Sequence, residues 1–161
     1  MATRSRILFA LFLMIIASHS SLASQPCSRF GADLKTLATT KFSSPDAKFI
    51  EFCDFKNEWV AYDTLVMEVD GKLKTESLNG FLSTVERKIV VYPDGTFERP
   101  SLSFCLQLNG IDMTFFDEKD NEVGVCVFPD GSIINDWTLF RGFEHARDAS
   151  LEKFVRSYRA P

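Results

Sequence analysis

Four cysteines, Cys27, Cys53, Cys105 and Cys126, are the residues of this 161-residue chain best suited to chemistry. Two uses compete for them. A structural zinc site takes close-spaced thiolate and imidazole ligands, yet there is no Cys-x-x-Cys, and beyond the first two dozen residues the single histidine is His145. An even number of well-separated cysteines suits disulfides instead, with three pairings open in principle. Acyl transfer needs a nucleophile, a base and an orienting acid, whereas His145 stands between Glu144 and Arg147 and reads as a solvated surface residue. The acids of Asp117 to Glu122 do not alternate ahead of a glycine as a calcium loop requires; they read as an acidic hairpin tip. Nothing in the order of the 22 acids nominates a carboxylate pair for glycoside hydrolysis, and a glycine-rich phosphate loop is absent. No catalytic residue, metal ligand or cofactor is assigned, and the balance is against an enzyme.

The positioning elements begin after a processing signal. Arg4 and Arg6 precede the apolar run Ile7 to Ala17, and Ser21-Leu22-Ala23 offers small residues for cleavage after Ala23. A membrane span needs about 20 apolar residues, and Ser18-His19-Ser20-Ser21 interrupts this run. The expected product is a secreted or periplasmic domain, residues 24–161, with no stable membrane anchor. Cys27 follows Ser24-Gln25-Pro26, which does not suit lipid attachment. Loss of Arg4 and Arg6 from 18 basic residues leaves 16 against 22 acids, so nucleic acid and anionic lipid are poor partners. Fourteen of the 16 phenylalanines follow Ala23 and, with Trp59 and Trp137, supply ample apolar surface for one domain.

Alternation and turn signals predict an α+β fold: an antiparallel β-sheet with short helices, and a C-terminal helix closing one face. Asp33 to Phe42 reads as a short helix, from Leu34, Leu37 and Ala38. Phe49–Phe55, Trp59–Val69, Lys72–Ser77 and Phe81–Tyr92 read as strands, with turns at Asp70-Gly71 and Pro93-Asp94-Gly95. A helix from Pro100 closes at Gly110; a hairpin of Ile111–Phe116 with Val123–Phe128 follows, and Pro129-Asp130-Gly131 turns into a further strand. Phe143 to Tyr158 reads as an amphipathic helix whose mixed-sign charges favour docking on the sheet over membrane lysis. Residues 89–96 echo 125–132. The order Cys27, Gly31, Cys53-x-Phe55, Trp59 likewise echoes Cys105, Gly110, Cys126-x-Phe128, Trp137. Residues 24–99 would then be a diverged, β-rich half, but convergence of small disulfide units is the simpler reading.

The order Cys105, Gly110, Gly124, Cys126, Phe128, Asp130-Gly131, Trp137, Phe140-Arg141-Gly142 resembles a family of small exported bacterial domains of unknown function, number 333, which carries a hemolysin label. The resemblance covers about residues 100–142. It implies a Cys105–Cys126 disulfide, which leaves Cys27 to Cys53, each loop contributing about 3 kcal/mol in the chain-entropy model. It also singles out Trp137, expected as a core plug, and Arg141, expected to hold a nearby carboxylate or carbonyl. The family has no established activity. The expected function is therefore a non-enzymatic binding module with an unknown macromolecular partner in the cell envelope or outside the cell. The alternatives are an envelope hydrolase or enzyme-inhibitor-like protein, and a membrane-active toxin.

Overall fold

A computed structural model describes residues 26–142 and 150–161. The signal segment and His145 lie outside the described residues, as does the first part of the expected tail helix. A 3-10 helix, Pro26–Phe30, leads into β1 (Asp33–Ala38), β2 (Phe49–Asp54) and the short β3 (Trp59–Ala61). The helices α1 (Tyr62–Val69) and α2 (Glu76–Phe81) follow; then come α3 (Pro100–Gln107), β4 (Ile111–Phe116), β5 (Glu122–Val127) and β6 (Ile133–Asn135). The helices α4 (Asp136–Arg141) and α5 (Ser150–Arg159) complete the order.

The six strands form a closed antiparallel barrel in the order β1-β2-β3-β6-β5-β4. The α+β sheet expected above is corrected by this closure into a barrel, in which each strand has a neighbour on both sides. Long hairpins, β1 with β2 and β4 with β5, make the two walls, six residue pairs each. Single bridges, Ala38 to Phe116 and Val60 to Ile134, join the walls.

Four element readings change for physical reasons, the simplest being Lys72–Ser77, expected as a strand: Lys72 to Thr75 pair with no strand and Glu76 opens α2. Asp33–Ala38 is a strand, because its helical spacing of leucines yields to six pairings with Phe49–Asp54. The long strand expected from Trp59 stops at Ala61, where the chain turns helical and buries Thr64, Leu65 and Glu68 together. Leu78, Gly80 and Phe81 are buried on α2, and the stretch beyond is no strand: residues 84–98 carry a single bridge, Val91 to Phe97, around the expected Pro93-Asp94-Gly95 turn. Ile89, Val91 and Phe97 are exposed there.

Alternate strand residues serve two cores. Leu37, Phe52, Phe115 and Val125 make one, with Phe52 and Phe115 edge to face at 6.4 Å. The other holds both disulfides, Cys27–Cys53 and Cys105–Cys126, together with Phe55, Leu65, Phe104, Phe128 and Leu139. The described part of the tail helix docks on that second core through Leu151 and Val155. Its end is fixed by Arg159, which donates to Glu68 Oε1 at 2.6 Å.

Candidate functional site

A cleft of about 860 Å³ lies where α4 and β5 meet the turn between β2 and β3. Its floor depends on Gly124. A Cβ there would stand 2.3 Å from Asp136 Oδ2 and 3.0 Å from an Arg99 guanidinium nitrogen. With no side chain at 124, Asp136 is fully buried. Ser101 Oγ donates to its Oδ2 at 2.8 Å, the Trp137 N–H donates to its Oδ1 at 2.6 Å, and Arg99 lies 3.2 Å away. Arg99 also donates to both oxygens of Asp112, at 2.8 and 2.9 Å. One half-exposed guanidinium thus serves two carboxylates, as a buried charge requires. Desolvation raises the Asp112 pKa, the attraction of Arg99 opposes it, and the charge of Asp136 adds to the rise.

The upper wall comes from a turn that the sequence reading missed. Lys56 and Asn57 have φ of 57° and 75°, and the Phe55 N–H donates to the Glu58 carbonyl at 2.9 Å. Two left-handed residues in a two-residue hairpin loop are the geometry usually given to Asn-Gly or Asp-Gly; Lys56-Asn57 closes this hairpin that way, whereas Pro129-Asp130-Gly131 closes the other in three residues with Gly131 alone at positive φ. The opposite wall is α4. Asn135 caps it, accepting from the Thr138 N–H at 3.0 Å and sending its amide to the Gly124 carbonyl at 2.9 Å. An Asn followed by an acid and then Thr was the signal that could have revealed this helix start.

Trp137 and Arg141 both line the cleft. Trp137 is 43% exposed, standing edge-on to Phe140 at 5.8 Å, so it is not the expected core plug. Burial was expected whether the segment stayed extended or turned helical; it is helical, and the indole is turned outward. Arg141 donates to the Trp137 carbonyl at 3.1 Å and to the Asn57 carbonyl at 3.4 Å. It bridges α4 and the Lys56-Asn57 turn, and both of these bonds go to main-chain carbonyls.

The other motif residues lie elsewhere. Gly110 sits against the Cys105–Cys126 bond, where a Cβ would meet Cys126 Sγ at 2.3 Å. Phe128 is buried in the core with the disulfides. Gly131 takes the turn's positive φ, and Asp130 accepts from Ser132 Oγ at 2.6 Å, the Ser132 N–H at 2.9 Å and the Glu76 N–H at 2.7 Å. Partial burial is the largest influence on the Asp130 carboxyl and raises its pKa, but these bonds together outweigh it and the net shift is downward. Gly142 follows α4 with φ 57°. The motif therefore divides into a scaffold part and a part, Gly124, Trp137 and Arg141, that shapes the cleft. Among the described residues no cluster of His, Cys, Asp and Glu could hold a metal ion.

Residues 99–143 match the family described as "Domain of unknown function (DUF333)". That segment runs from Arg99 through α3, β4, β5, β6 and α4, so it contains one wall of the barrel and most of the cleft. No curated protein and no solved structure matches the chain.

Proposed function

We propose that this chain is a disulfide-stapled binding module and that the cleft beside Trp137 and Arg141 is its recognition surface. Exposure of Trp137 carries the reading. An indole held edge-on to a neighbour and nearly half open to water is the kind of anchor that dominates recognition surfaces, and Arg is its usual companion. Arg141 adds a guanidinium for which no carboxylate partner exists among the described residues and which can meet a carboxylate or carbonyl of the partner. The partner proposed is a macromolecule of the envelope or exterior, because two disulfides suit an oxidising, extracytoplasmic compartment. Export by cleavage after Ala23 belongs to the same proposal; no described helix is long and apolar enough to cross a membrane.

The test is affinity capture of envelope proteins by the purified domain, with each captured protein identified and then purified for direct titration. Arg141→Ala should weaken that titration about tenfold or more, the ~1.4 kcal/mol scale of a charge-assisted bond. Binding by Arg141→Ala equal to the parent would place recognition elsewhere.

A further inference from the structure

The two walls of the barrel correspond element for element in order and register. Each disulfide joins the segment before the first strand of a half to the fifth residue of its second strand, Cys27 to Cys53 in β2 and Cys105 to Cys126 in β5. The entry loops repeat: the Ala32 N–H donates to the Cys27 carbonyl and the Gly31 N–H to that of Ser28, while Gly110 donates to Cys105 and Asn109 to Leu106. Gly31 and Asn109 both have positive φ, 73° and 62°. In each half the third strand has three residues and runs straight into a helix. Along these alignments Thr36 falls on Thr114, Phe55 on Phe128, Thr64 on Thr138 and Leu65 on Leu139.

The junction between the halves has the signature of a twofold axis. A residue bonded across an isologous interface to its own equivalent lies on that axis. Both bridges are of this kind, Ala38 to Phe116 and Val60 to Ile134. Off the axis the contacts are reciprocal. The Trp59 N–H donates to Thr138 Oγ1 at 2.9 Å, and its mate, the Ile133 N–H, donates to Thr64 Oγ1 at 2.7 Å.

We infer that residues 26–69 are a second unit of the kind matched at 99–143, and that the barrel is a pair of units joined through a surface that each presents to its like. A lone three-stranded unit would leave the edges at Ala38 and Val60, or at Phe116 and Ile134, without partners. The unit therefore fits a second unit as its partner, and here residues 70–98, α2 among them, join that partner in the same chain. The family match stops at one unit because Gly124, Trp137, Arg141 and Asp130-Gly131 fall on Glu51, Asp63, Met67 and Lys56-Asn57 in the other.

A protease site placed in the exposed turn at Asp94-Gly95 of the full chain tests the pairing. Each disulfide lies within its own half, Cys27–Cys53 before the cut and Cys105–Cys126 after it, so the cut leaves two separable fragments. The cut protein should elute with the uncut insertion variant. After it is unfolded without reductant, mixed with an equal amount of isotope-labelled cut protein and refolded, about half the one-to-one complexes should be hybrids, as mass action dictates for free pairing. Fragments that part in buffer, or that fail to recombine while the uncut variant refolds, would overturn the inference.

Discussion

The first half of the barrel and the second share a scaffold but differ at the same place, the outer end of the second strand where it meets the following helix. The second half has Gly124 there, and the space it leaves admits buried Asp136, held by Ser101 and Arg99, beneath an exposed Trp137. The first half has Glu51 in the equivalent position, with Tyr62 and Asp63 where Asp136 and Trp137 stand. A smaller opening of about 370 Å³ lies there, lined by Thr36, Phe49, Ile50, Glu51, Tyr62 and Asp63. The contrast separates what folds the unit from what distinguishes it. Disulfide, entry loop, reciprocal threonine and core leucine occur twice; the indole, the arginine and the glycine floor occur once. Features kept in both halves are explained by the barrel, whereas those of one half need another reason, and recognition supplies it.

The largest expected effect tests the shared scaffold. Leu65 and Leu139 are both fully buried, so Leu65→Ala and Leu139→Ala should each lose about 2–5 kcal/mol of unfolding free energy. Denaturant melts with the disulfides intact should place the two variants near one another, and a difference approaching the whole effect would break the equivalence.

The next effect sharpens the difference. Gly124→Ala drives a methyl group into Asp136 and toward Arg99 and should cost about 1–3 kcal/mol, as overpacking does. Exposed Glu51 already carries a side chain at the mate position, and Glu51→Ala should stay within about 0.5 kcal/mol of the parent. Equal losses in thermal melts would mean that the glycine floor is no special feature of the second half.

A smaller effect separates the two turns. Asp130 has a lowered pKa, so the stability it adds is present above the ordinary carboxylate range and is lost as pH falls through its lowered folded value. The melting temperature of the parent should exceed that of Asp130→Asn at neutral pH, and the gap should close on acidification. In the Lys56-Asn57 turn the Asn57 N–H donates to Asp54 Oδ1; Asn57→Gly keeps that N–H, so it should leave the pH dependence of melting as in the parent. A gap between parent and Asp130→Asn that persists at low pH would contradict the hydrogen-bonded carboxylate.

The legibility of these features follows the same division. The second hairpin was readable because Asp117–Glu122 and Pro129-Asp130-Gly131 state their turns in residue types that favour them. In the first half Lys56-Asn57 makes the corresponding turn without those types, so the repeat was visible in its cysteines and in Phe55 and Phe128 but not in its hairpins. The correspondence drawn between Trp59 and Trp137 was also misplaced: Trp59 opens β3 and aligns with Ile133, whereas Trp137 aligns with Asp63. Closure of the barrel was hidden for a different reason. It rests on two single bridges and two threonine hydroxyls between segments far apart in sequence, and such contacts leave no local period. Burial of Asp136 was likewise unreadable, since it depends on Arg99, Ser101 and the missing side chain of Gly124 arriving from three elements.

The most direct test of the claim that one half carries recognition on a scaffold common to both is to give the second half the residues of the first. Trp137→Asp with Arg141→Met installs the side chains found at Asp63 and Met67. Both sites are at least partly exposed, so the double variant should melt within a few degrees of the parent, a change of about 1 kcal/mol or less, while its titration with the captured partner falls at least tenfold. A variant that melts like the parent and binds like the parent would contradict the assignment of the cleft.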